Sequence, residues 1–230
     1  MEVTFYGHAT FKVVSPGGVK ILIDPWVSNP QAPSDVDRGP YDLILVTHAH
    51  GDHLGEVFEI ARTAVTEVVA IHEVQQYLMA RGLPKVTGMN IGGTYETRGL
   101  KITMVQAVHS SSFPDGSYGG EACGFVVEME DGRTLYHAGD TGLFYDLALI
   151  RELYQPEVVL LPIGSHYVMG PKEAAKACEL LKPKVVIPMH YGTFPLLNGT
   201  PEAFEKALSE LGVKVLVKVL SPGETFRFGE

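Results

Sequence analysis

"ILVTHAHGDHLG", residues 44–55, decides how the rest of the chain is read. The run "DLILVT" that leads into it is continuously apolar, as in a strand covered on both faces. His48, His50, Asp52 and His53 follow at the mouth of that strand with the spacing H-x-H-x-D-H. Residues two apart in an extended segment point the same way, so His48 and His50 converge on one cation. A turn at Gly51 swings Asp52 and His53 toward a second position nearby. Imidazole nitrogen and carboxylate oxygen suit zinc, and equally manganese, iron or nickel. Loop histidines often do nothing, but four potential ligands in six residues point to metal.

Four side chains do not complete two open metal sites, so the remainder must come from elsewhere. His109 closes "KITMVQAVH", Asp140 closes "RTLYHAGD" and His190 closes "VVIPMH", each at the end of a predicted strand. Ligand sites in α/β proteins collect where strands give way to loops. Together with the cluster these give five histidines and two aspartates, enough for two divalent ions.

The surrounding sequence predicts a β-rich start, "EVTFYG", "TFKVVS" and "VKILID" alternating with period two. After the Pro-rich loop 29–40 and "DLILVT", the spacing predicts helices over "LGEVFEIARTA" and "HEVQQYLMARG" around the strand "EVVAIH". A β-rich middle follows, with "GFVVEMEDGRTLYHAGD" as a hairpin turning at "EDGR". The last third alternates: helix "FYDLALIRELY", strand "EVVLLPIG", helix "GPKEAAKACELLKP", strand "KVVIPMHYG". The helix "TPEAFEKALSELG" has Thr200 as cap, Pro201 at its first position and Gly212 as stop. "VKVLVKVL" and "ETFRF" are read as closing strands. No linker interrupts this order, so residues 1–230 are expected to form one α/β domain with sheets packed together and helices outside.

The ordered set Asp24 in "LIDPW", H-x-H-x-D-H, His109, Asp140 in "AGDT" and His190 resembles the metallo-β-lactamase superfamily. The resemblance covers residues 24 to 190 and implies a four-layer αββα sandwich. It implies that His48, His50 and His109 hold one metal and that Asp52, His53 and His190 hold the other. It further implies that Asp140 bridges the pair and that Asp24 orients a ligand histidine by a hydrogen bond. "FYGHATF", "LIDPW" and "YHAGDT" look like the UPF0173 branch of metal-dependent hydrolases, related to ascorbate-6-phosphate lactonases and to N-acyl-phosphatidylethanolamine phospholipase D. The implied activity is hydrolysis of a small ester, lactone or phosphodiester by a hydroxide between two metals, zinc being the first choice. Asp52 is then the group that moves the proton. A di-iron redox protein of the same fold and a non-catalytic metal-binding scaffold are the alternatives.

Beyond the ligands, His8 in "YGHAT" is expected to be catalytic as a pocket residue that touches substrate rather than metal. Ser110 and Tyr118, at the ends of a polar Gly-rich loop, are expected in the pocket wall, as are His166 and Tyr191. His137 is read as structural, His72 as a surface residue, and Cys123 and Cys178 as buried free thiols. With 27 acidic against 18 basic residues the formal charge is −9, which disfavours a long nucleic-acid partner. The substrate is therefore expected to be a small molecule. No run approaches the ~20 apolar residues of a membrane span, and the N-terminus does not resemble a signal peptide. A cytoplasmic location is expected, and homo-oligomerisation is left open.

Overall fold

The N-terminal alternation becomes an antiparallel meander of β1 (Glu2–Phe5), β2 (Phe11–Val14) and β3 (Lys20–Ile23). The structure is a computed structural model and describes residues 1–62 and 65–229. Past the Pro-rich loop, β4 (Leu43–Leu45) joins parallel to β3. The short helices α1 (Gly51–Leu54) and α2 (Val57–Ile60) lead to β5 (Glu67–Ile71). Then α3 (His72–Ala80) and β6 (Val86–Met89) complete the parallel half of this sheet. The single helix expected over 54–64 is thus replaced by two short ones, and its last two residues lie outside the described residues.

A second sheet begins with β7 (Thr94–Thr97), β8 (Leu100–Gln106), β9 (Cys123–Glu128) and β10 (Thr134–His137), all antiparallel. It continues in parallel through α4 (Leu147–Tyr154), β11 (Val158–Pro162), α5 (Pro171–Leu181), β12 (Val185–Met189), α6 (Pro201–Leu211) and β13 (Leu216–Val217). Finally β14 (Thr225–Arg227) crosses back to pair with β1. Two seven-stranded sheets result, ordered β14-β1-β2-β3-β4-β5-β6 and β13-β12-β11-β10-β9-β8-β7.

Side-chain alternation fixes how the sheets stack. Phe125 and Val127 of β9, with Val158 and Leu160 of β11, join the core shared with Phe11, Val13 and Ile23 of the first sheet. Their neighbours Val126, Val159 and Leu161 face the other way, onto Ala174, Cys178 and Leu181 of α5 and Phe204 of α6. Each fully buried Val, Leu, Ile or Phe among them contributes about 1.5–3 kcal/mol. α3 covers the first sheet through Val74 and Leu78. This is the αββα sandwich. The cap at Thr200 forms, its hydroxyl accepting from the Ala203 amide, and Gly212 stops α6 with a left-handed φ of 66°. The expected strand "VKVLVKVL" pairs only at Leu216–Val217. Among the described residues no helix is long and apolar enough to cross a membrane.

Candidate metal centre

Loops at one edge of the sandwich bring the predicted ligands together. After β4 the chain runs extended to His50, where α1 begins, and the amides of His53 and Leu54 both donate to the His50 carbonyl. Gly55 ends that turn with φ 44°, pressed so closely on Pro25 and Trp26 that any Cβ would collide with their backbone. From the second sheet, the loop after β8 carries His109 and the loop after β10 carries Asp140. The two are stitched by Val108 N–H to Thr141 Oγ1 (3.0 Å) and Gly142 N–H to the Val108 carbonyl (2.9 Å). His190, just past β12, donates its amide to the His8 carbonyl at 2.7 Å and so ties the sheets together. His8, Asp24 and His190 all hold left-handed φ angles of 55°, 50° and 55°, a conformation that non-glycine residues keep only where surroundings enforce it.

Three groups of side chains each place ligand atoms within 4.8 Å of one another: His48–His50–His109, His48–His53–Asp140, and His8–Asp52–His53–His190. Asp140 Oδ2 stands 3.0 Å from His190 Nε2, 3.3 Å from His53 Nε2 and 3.5 Å from His109 Nε2. His48 Nε2 lies 2.9 Å from His50 Nδ1. Two ligand atoms about 2.0–2.1 Å from a shared tetrahedral zinc stand about 3.3 Å apart, so these separations fit a cation between them. Buried His53 Nε2, Asp140 Oδ1 and both ring nitrogens of His190 have no hydrogen-bond partner. Orphaned buried polar atoms are costly, and these belong to three side chains that meet around Asp140, which fits a bound cation.

Hydrogen bonds determine which nitrogen of each ring is free. Asp24, fully buried, accepts from the Thr47 amide (2.8 Å), the Thr47 hydroxyl (2.8 Å) and His53 Nδ1 (2.7 Å). A carboxylate only accepts, so His53 carries a proton on Nδ1, which leaves Nε2, the nitrogen facing Asp140, as the one available to a metal. The Thr47 hydroxyl spends its hydrogen on Asp24, so its oxygen accepts from His48 Nδ1 (3.0 Å) and leaves His48 Nε2 bare as well. His137 differs. Its Nε2 reaches the Ala9 carbonyl (3.0 Å) and its Nδ1 accepts from the Gly139 amide (3.1 Å), leaving nothing for a metal.

Electrostatics follow from the same packing. Burial pushes the pKa values of His48, His50 and His109 down, which favours the neutral ligand form. Burial alone would raise Asp140, but His190 and His53 outweigh it and hold the carboxyl well below its usual range. Asp52 is likewise held low, its burial outweighed by the neighbouring His8 and His53 rings.

A cavity of about 310 Å³ opens over these groups, lined by His50, Asp52, His109, Ser110, Asp140, Tyr167, His190 and Phe194. Of the expected wall residues Ser110 is present. Tyr118 instead points into solvent and bonds Glu121 (2.9 Å). Exposed His166 is absent from the lining, and its neighbour Tyr167, itself 53% exposed, takes the place there after left-handed φ angles at Ser165 (66°) and His166 (62°). Tyr191 lies half-buried against the helix-side core. Phe194, stacked on Trp26 at 5.9 Å, had no sequence signal beyond its place after His190. His8 is wholly buried beneath the cavity rather than on its wall.

Residues 2–190 match the family model of the β-lactamase superfamily domain. The chain belongs to that superfamily. It is 52% identical to a UPF0173 metal-dependent hydrolase of Methanopyrus kandleri, across 98% of this chain and 99% of that one. A UPF0173 metal-dependent hydrolase of Archaeoglobus fulgidus is 46% identical over the full length of both. Among solved structures, Igni18, a metallo hydrolase from Ignicoccus hospitalis, superposes with a TM-score of 0.88 at 40% identity, covering 99% of this chain and 98% of that one. This superfamily member is therefore a metal-dependent hydrolase, and its His/Asp cluster is built to bind metal.

Proposed function

We propose that the enzyme is a dinuclear hydrolase of small, uncharged esters or lactones. The observation that carries this reading is the set of bare nitrogens and carboxylate oxygens converging beneath one cavity. His48, His50 and His109 would hold one ion, Asp52, His53 and His190 the other, with Asp140 shared. Two divalent ions, zinc foremost, would bring the pKa of a shared water toward neutrality and polarise the scissile bond.

The chain's own groups do the rest. Asp52, 29% exposed, is the more open of the two carboxylates lining the cavity and stays ionised at neutral pH, so it takes the water's proton and returns it to the leaving oxygen. Ser110 offers a hydroxyl to a substrate oxygen. Tyr167 and Phe194 wall the cavity and suit a substrate with an apolar or aromatic flank. Among the described residues the lining contains no Lys or Arg, which favours an uncharged scissile group over a phosphodiester.

The test is elemental analysis of protein purified without chelator, followed by parallel assay on p-nitrophenyl esters, aromatic lactones and p-nitrophenyl phosphodiesters. Expected are two ions per chain, ester or lactone turnover exceeding phosphodiester turnover, and loss of both ions in Asp140→Ala. A single ion per chain after reconstitution refutes the dinuclear reading, and phosphodiester preference refutes the substrate class.

A further inference from the structure

His8 lies outside the H-x-H-x-D-H, His, Asp, His series, yet its hydrogen bonds repeat the pattern that frees His48 and His53. The His8 amide donates to Gln31 Oε1 (2.9 Å) and Gln31 Nε2 donates to the Tyr191 carbonyl (3.0 Å), which fixes the orientation of the Gln31 side chain. Gln31 Oε1 is therefore an acceptor, and the Thr193 hydroxyl spends its hydrogen on it (3.1 Å). The Thr193 oxygen must then accept from His8 Nδ1 (2.9 Å). A neutral His8 consequently presents a bare Nε2, and that atom faces Asp52 Oδ2 at 3.2 Å. Two acceptors at that distance, one fully buried, repel unless a proton or a cation stands between them.

The neighbourhood points to the cation. His8 Nε2 belongs to the group with Asp52, His53 and His190 whose ligand atoms lie within 4.8 Å of one another. The His8 and His190 rings are 3.9 Å apart, and both His190 nitrogens and His53 Nε2 are buried without partners. A 3.2 Å separation fits two ligand atoms each about 2.0–2.1 Å from one zinc ion. We propose that His8 Nε2 is a ligand of the second metal ion, held in the ligating tautomer by Thr193 and Gln31. This rests on the dinuclear reading above and revises the expectation that His8 acts on substrate.

The experiment uses the full chain, stripped and reloaded with ¹¹³Cd, with its histidine rings labelled with ¹⁵N. A ligating nitrogen is split by direct coupling to ¹¹³Cd. The expected result is two ions bound and splitting at six rings: His8 with His48, His50, His53, His109 and His190. In His8→Gln one split resonance disappears and the second ion binds more weakly, while the His48, His50 and His109 signals persist. Count and assignment in the wild type do not depend on the variant folding. Two ions with only five split rings, His8 excluded, overturns this proposal and leaves the dinuclear reading standing. One ion with splitting confined to His48, His50 and His109 overturns both.

Discussion

Asp24→Asn isolates the orienting role of one buried carboxylate. The backbone should tolerate the change, because position 24 sits at φ 50° and asparagine adopts that region more readily than most residues. The asparagine carbonyl can keep the bond from the Thr47 amide. Its NH₂ then replaces Oδ2, opposite two donors, the Thr47 hydroxyl and His53 Nδ1. His53 escapes the donor–donor clash only by moving its proton to Nε2, the nitrogen that faces Asp140. Binding a metal must then reverse that shift and leave His53 Nδ1 without the charge-assisted bond to Asp24 that the wild type keeps, a difference of about 1.5–3 kcal/mol. At 1.4 kcal/mol per decade the second ion should bind about 10- to 100-fold more weakly. Chelator competition on wild type and variant measures this, with circular dichroism to establish that the variant folds. A folded Asp24→Asn protein that holds both ions with wild-type affinity would refute the tautomer argument.

Gly164→Ala should disturb the centre from below, because a Cβ there overlaps the His190 carbonyl oxygen. Overpacking of about 1–3 kcal/mol lowers Tm by about 2–12 °C at 2–4 °C per kcal/mol; an unchanged Tm in a calorimetric scan counts against the tight seat described for His190. Far from the centre, Glu67 is 4% exposed and accepts from Thr87 (2.6 Å) and Tyr95 (2.8 Å) beside Lys85 (3.2 Å). Burial raises its pKa, but those partners outweigh it and leave the folded value below the usual carboxylate one. Its stabilisation is thus fully present above the ordinary value of about 4.3 and fades as pH falls through the folded one. Urea midpoints of wild type and Glu67→Gln should converge as pH drops from 7 to 3, and a widening gap would contradict the assignment.

The proposed ligand series was legible because its members follow shortly after predicted strands, where pattern and chemistry coincide. His109, though, lies three residues past β8 rather than at its tip. β6 was not read at all: "VTGM" offers little alternation, and Gly88 is there because Gln75 of α3 fills the space of a side chain. "VKVLVKVL" misled in the opposite direction. Val213, Val215 and Val217 alternate because they pack on the helix-side core, so the period reports burial of one face rather than pairing. The environment of His8 had no local signature, since Gln31 and Thr193 lie 23 and 185 residues away. Tyr167, rather than His166, lines the cavity, in a segment whose left-handed φ angles at Ser165 and His166 no residue type announced.

The proposed ligands are divided between the sheets: His48, His50, Asp52 and His53 follow strand β4, whereas His109, Asp140 and His190 follow strands β8, β10 and β12. Any ion held among them is therefore a cross-link between the two halves of the sandwich. Its binding free energy is also resistance to separation of the sheets, worth about 2.7 kcal/mol when the free ion stands at 100 times its Kd. Starving the protein of metal should loosen this edge first, with amide exchange quickening around His190 and His8 while strands such as β9 and β11 stay protected. Catalytic competence and mechanical integrity would then rise and fall with the same supply of ions, so that a molecule unable to react is also the one most readily unfolded and degraded.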